Sequence, residues 1–343
     1  MNLDWLPAAL HAAAFRLARA DELAYQLAEV ALSWSRGDDD EGAVDLVQYE
    51  RTRGILSLEV AGIRPVPPLA GMLFSEAIHH IRAAVDNVVF YLVTKDREQQ
   101  LTRRQESQVA MLIYSDPEKF AQKVDRLMRS GLTEYAETEV LGKRIASLQP
   151  FADEATVKRV SPLLAALMGQ SDLEGEKPLS LLQGYSNEDK HRMIRTALTG
   201  ALTQSSLDLS LKDDGMQAIE VGAVLSRVPE GAPVQVSVSA ALQLLRPGGK
   251  TWVGIGAELD GIAAHVADVV IPTLLTGMAL PGALPAHVDL TDSGQDAATR
   301  LSGGTQLRAH KRVQPVMNEA FWKASAKPLK FPPIVRYDEL NPG

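Results

Sequence analysis

The chain has 343 residues, 45% of them hydrophobic and 23% charged, with a net charge of −8. That length suffices for one large core or two ordinary ones. The absence of cysteine excludes disulfides, thiolate metal sites and thiol catalysis together, and fits a reducing cytoplasm. The acidic total argues against a globally basic nucleic-acid binder. Charge is nonetheless uneven: from Arg300 to Arg336 eight basic residues meet one acid, Glu319, so this stretch carries +7 and the remainder −15.

Taken in chain order, the first residues lack the basic-then-apolar order of a secretory signal. Residues 6–34 are rich in alanine and leucine at helical spacing, and the acidic run 38–41 reads as a loop. Residues 44–63 alternate with period two around Arg53-Gly54, which predicts a β-hairpin. Pro65 to Pro68 then break the chain before a helix over 69–94. Ser115-Asp116-Pro117-Glu118 has the cap, proline and acid of a helix start. Further helices are expected over 116–130, 132–148, 154–168 and 178–199.

Past Gly200 the character changes to strands, over 207–211, 218–225, 234–238 and 242–245, followed by a helix over 256–276. The apolar stretch 261–280 contains His265, Asp268 and Pro272, so it reads as a buried helix and not a membrane span. Beyond Pro281, proline, glycine and serine dominate. The fold class expected is therefore α+β: a mainly helical bundle with an antiparallel β-element and an extended C-terminal arm. Its divisions are a helical part over 1–200 with the hairpin near 44–63, strands plus a closing helix over 201–280, and an extended basic arm over 281–343.

Two polar clusters interrupt apolar stretches. In the first, His79, Arg82 and Asp86 share one helix face, and Arg82 and Asp86 are spaced i,i+4 for an ion pair. In the second, Asn187, Lys190 and His191 share a face, beside Asp189 and Arg192. Histidine and lysine beside carboxylates suit acid–base work or holding an anion, and equally suit a salt-bridged helix surface. Their complementary charges suggest that the clusters oppose each other. No HxxxH or HxxE pair supports a metal site, and no Walker A, GxGxxG or GxSxG motif is present, so neither metal nor cofactor is assigned.

The segments 75–87, Ser147-Leu148-Gln149-Pro150-Phe151 and 181–192 together resemble a group of bacterial proteins without an assigned activity, whose wording is close to "HNLRSALDHL … LQP … LSNxDKHR". The resemblance covers roughly residues 45 to 280 through these short motifs. The first motif is also similar to the Arg-x4-6-His motif of HEPN helical ribonucleases. Those enzymes steady a phosphate with arginine and use histidine to assist the 2′-hydroxyl, without metal. Arg82 matches, but Asn87 stands at the histidine position and cannot shuttle a proton.

The function expected is a non-catalytic binding or assembly protein of the bacterial or phage cytoplasm, with a polar helix–helix cluster and a partner-binding arm. The alternative is a HEPN-like ribonuclease or toxin-like RNA-processing enzyme, with Arg82, Asp86 and His191 as catalytic candidates and His79, Asn187 and Lys190 binding the ligand. Residues 300–337 interleave cations with Phe321, Trp322, Phe331 and Tyr337. That pattern suits a protein partner or self-association first and nucleic acid second; no membrane partner is expected.

Overall fold

A computed structural model of the chain describes residues 3–36, 42–158, 175–191, 196–199, 220–231, 241–249, 251–325 and 333–340. Two long helices form its centre. α1 (His11–Arg36) and α2 (Pro68–Thr94) pack along each other, with Leu17, Leu23 and Leu27 of one against Phe74, Ile81, Val85 and Val88 of the other. Pro68 occupies the first turn of α2, where its missing N–H has no intrahelical acceptor to lose. Between the helices runs the expected hairpin, β1 (Val44–Thr52) and β2 (Ile55–Ile63), antiparallel across Arg53-Gly54. Gly54 has φ +76°, the left-handed conformation that a two-residue hairpin turn requires.

A short helix, α3 (Arg103–Glu106), leads through an extended segment to α4 (Pro117–Arg129), whose cap Asp116 accepts from the Glu118 and Lys119 amides. The single helix expected over 132–148 is instead a 3-10 turn, Thr133–Tyr135, and a separate helix, α5 (Val140–Ser147). The break is built by side chains. Tyr135 is fixed through its hydroxyl to both the N–H and the C=O of Ala110. Gly142 sits so close beneath Ala136 that a Cβ there would lie 1.9 Å from the Ala136 oxygen.

The helix expected over 154–168 is also corrected: Val157–Lys158 form β3, which pairs with β4 (Gly175–Glu176), and 159–168 lie outside the described residues. α6 (Pro178–His191) follows, ending short of the expected 199. β5 (Thr196–Thr199) then joins an antiparallel sheet with β7 (Ala241–Leu245) and β8 (Trp252–Gly254). β6 (Val224–Pro229) adds to the hairpin through β2. The strands expected over 207–211 and 234–238 lie outside the described residues.

α7 (Ile255–His265) continues through a π-helical turn, Val266–Val270, into α8 (Ile271–Thr276). By length and hydropathy this is a helix apolar enough to span a membrane. In the fold, Leu259, Ile262, Val266, Val270, Ile271 and Leu274 are buried within the shared core. The molecule is thus α+β and mainly helical. One hydrophobic cluster runs from Leu6 to Leu301 and draws on all three stretches expected from the sequence.

The C-terminal arm departs from the expectation of an extended chain after residue 296. It forms α9 (Ala297–Ser302) and α10 (Ala309–Ser325), then β9 (Ile334–Val335) and a last turn, α11 (Tyr337–Leu340). α10 lies on α1, and β9 pairs in parallel with β1 at Gln48 and Tyr49. Its cations meet the acidic body of the same chain. Arg312 reaches Asp21, which also accepts from the Ala309 amide at 2.7 Å; Arg308 pairs with Asp268 at 3.1 Å, and His310 Nδ1 lies 3.0 Å from Asp260.

Candidate functional site

The first polar cluster converges on the extended segment 110–114. From α2, Arg82 directs its guanidinium at three acceptors: Nε donates to Asp86 (3.0 Å), Nη1 to Gln183 of α6 (2.9 Å) and Nη2 to the Met111 carbonyl (2.7 Å). Asp86 in turn accepts from the Met111 amide at 2.8 Å, so both backbone groups of Met111 are held by one i,i+4 pair. Arg82 and Asp86 are 15% and 30% exposed, which leaves the pair at the edge of the core and not in an open cleft.

Gln149 completes the hold from the other side. Its wholly buried amide donates to the Leu112 and Ile145 carbonyls (2.8 and 2.9 Å) and accepts from the Tyr114 amide (2.9 Å). With Tyr135 on Ala110, four side chains therefore satisfy an irregular strand that has no sheet partner to do so. The apolar groups of Met111 and Leu112 can then enter the core without leaving buried backbone groups unpaired.

The remaining candidates spread out from this centre. Asn187 is exposed and accepts from Gln183 at 2.9 Å, so it touches the clamp at second hand. Lys190 and His191 close α6, and their side chains lie outside the described residues. Their backbone lies about 10–12 Å along the helix axis from Gln183, by the rise of 1.5 Å per residue. Arg192 lies outside the described residues as well. The contact between α2 and α6 at this point is made by Gln183, which lies outside the second polar cluster; the opposition expected between the two clusters rests on side chains outside the described residues. His79 is exposed beside His80, with ring centroids 6.1 Å apart. Asn87, with its amide turned to satisfy both neighbours, donates to the Ala83 carbonyl and accepts from Arg16 Nε of α1, each at 3.2 Å. No group of three or more metal-ligating side chains occurs among the described residues.

Sequence reasoning missed a second network. Arg246, just after β7, is 4% exposed and donates to Glu258 twice (2.9 and 2.8 Å) and to the Val157 carbonyl (2.9 Å). Tyr185 of α6 adds its hydroxyl to the same carboxylate at 3.0 Å, and burial together with that carboxylate pushes the phenol above its ordinary range. These bonds tie α6, α7, β3 and the end of β7 together, and Arg246, Glu258 and Tyr185 contribute no buried polar atom lacking a partner among the described residues. The available signal was Glu258, an acid flanked by Ile255, Leu259 and Ile262 on the apolar side of a helix. Nearby, His265 is kept below the usual imidazole range by burial, against the opposing pull of Asp153 and Asp268.

Comparisons with protein-family models, with curated proteins and with solved structures each gave no match.

Proposed function

We propose that this chain is a non-catalytic binding and assembly protein of a reducing cytoplasm, in which the Arg82–Asp86 motif builds the scaffold and the arm meets the partner. One observation carries the reading: all three kinds of guanidinium nitrogen on Arg82, and both oxygens of Asp86, are committed to groups of the same chain. A phosphate-steadying arginine needs donors free to face the substrate. The same closure speaks against the ribonuclease alternative, and Asn87, bonded to Arg16 and Ala83, supplies no proton shuttle there.

The arm supplies the surface. Val313 of α10 is buried, but from Gln314 to Glu319 every residue is exposed, including Val316 at 42% and Met317 at 49%. That part of the helix gains little from its own fold, because helices are marginal in water without packing. Cover of Val316 and Met317 by a second copy of the chain would supply that packing.

Light scattering across a concentration series tests it. The intact chain is expected to self-associate and the Val316→Asp/Met317→Asp variant to remain monomeric; a monomer at every concentration refutes the assembly role. RNA hydrolysis by the intact chain, lost in a folded Arg82→Lys variant, would overturn the non-catalytic reading.

A further inference from the structure

The outer seam between α1 and α2 carries a group of cations that neither the clamp nor the arm uses. Arg16 and Arg19 lie on successive turns of α1, half-buried, about 4.5 Å apart along the axis. Neither forms an ion pair with an acid among the described residues, whereas the arm's Arg308, Arg312 and Arg336 all do. Like charges on successive turns repel, so the arrangement is unfavourable while it stands alone. Facing them from α2 are His80 and its neighbour His79, with Glu76 as the acid on that face close enough to influence His80. His80 Nδ1 is buried and has no hydrogen-bond partner among the described residues. Asn87 accepts from Arg16 Nε, and the two terminal nitrogens of Arg16 make no hydrogen bond among the described residues.

We propose that this seam binds a phosphoryl-type oxyanion, gripped by the guanidinium groups of Arg16 and Arg19 with the His80 imidazole beside them. Planar guanidinium forks match the tetrahedral oxygens of such an anion, and one dianion relieves the mutual repulsion of both arginines. The site is independent of the assembly reading: it shares no residue with the Arg82 clamp or with α10. Burial, with Arg16, His79 and Arg19 beside it, keeps His80 below the ordinary imidazole range. A bound anion favours the protonated ring, so anion affinity rises as pH falls.

Isothermal titration of the full chain with sulfate, inorganic phosphate and 5′-AMP tests the site in low-salt, phosphate-free buffer. Sulfate keeps its charge over the range, so its affinity at pH 5.5 against pH 7.5 reads the histidine alone. Saturable one-site binding is expected, weakened about tenfold or more by Arg16→Gln or Arg19→Gln. The rise in sulfate affinity on acidification is expected to vanish in His80→Gln and to survive in His79→Gln. Equal affinity for phosphate and 5′-AMP assigns the site to a free oxyanion, and tighter 5′-AMP to a nucleotide phosphoryl group. No saturable binding below about 10 mM to the intact chain overturns the proposal. So does binding left unchanged in both folded arginine variants.

Discussion

Replacing Arg82 by alanine removes three hydrogen bonds in one step, to Asp86, to Gln183 and to the Met111 carbonyl. The bonds to Gln183 and Met111 involve a charged donor at the core edge and contribute about 1–2 kcal/mol each, toward the lower end of the charged-group range. The Asp86 pair, with its carboxylate 30% exposed, adds less than about 1 kcal/mol. Arg82→Ala should therefore lower stability by about 3 kcal/mol. Arg82→Lys should lose about 2, because one ammonium cannot reach three divergent acceptors. Urea unfolding followed by circular dichroism gives the totals.

Hydrogen exchange locates the effect: the Met111 amide, which donates to Asp86, should exchange about a hundredfold faster as the segment opens. A loss below about 0.5 kcal/mol with Met111 exchange unchanged would refute the clamp, since exposed single substitutions away from such features stay within that band.

Glu258→Ala strands a buried guanidinium and should cost about 3–5 kcal/mol, whereas Arg246→Met/Glu258→Leu/Tyr185→Phe should recover most of it, as measured by urea unfolding. Equal losses in the two variants would mean the network is solvated. Gln149→Leu leaves the Tyr114 amide and the Leu112 carbonyl unpaired and should destabilise by about 2–3 kcal/mol, with faster exchange at Tyr114.

Folded His80 and His265 both sit below the unfolded imidazole value, so the unfolded chain takes up more protons between the folded and unfolded pKa values. Stability should accordingly fall as pH drops below about 6.5, and less steeply in His265→Asn; a flat profile in intact protein contradicts both assignments. Asp21→Ala removes the acceptor of the Ala309 amide and of Arg312, so trypsin should cut at Lys311 and Arg312 sooner than in the intact chain, as read by mass spectrometry.

The long helices, the hairpin and the Asp116 cap were legible because each is a local pattern: apolar period, turn residues, a capping side chain ahead of proline. The Arg82–Asp86 pair was legible for the same reason. Its target was not, because a backbone amide and carbonyl at Met111 look alike at every position. Gln149 stood inside a quoted motif, but nothing local distinguishes a buried amide that ties an extended segment to a helix from one in a solvated loop. Arg246, Glu258 and Tyr185 are 12 and 73 residues apart, and only folding shows that three lone polar groups share one pocket. The split of 132–148 into a turn and a helix depended on Tyr135 reaching the backbone of Ala110 and on Gly142 folding back under Ala136, which overrode good local helix propensity. The arm's helices were missed because prolines and glycines at 281–296 masked the periodicity that resumes after them.

The seat of α10 on α1 also sets an order of events during synthesis. Asp21 emerges with the first helix, yet the amide of Ala309 and the guanidinium of Arg312 that satisfy it follow almost 290 residues later. Until then α1 presents an unmatched, half-built face. Pairings this remote in sequence form late and slowly. A nascent chain should therefore remain protease-sensitive and open to chaperones until residues 309–312 have left the ribosome, with the arm acting as a late stitch.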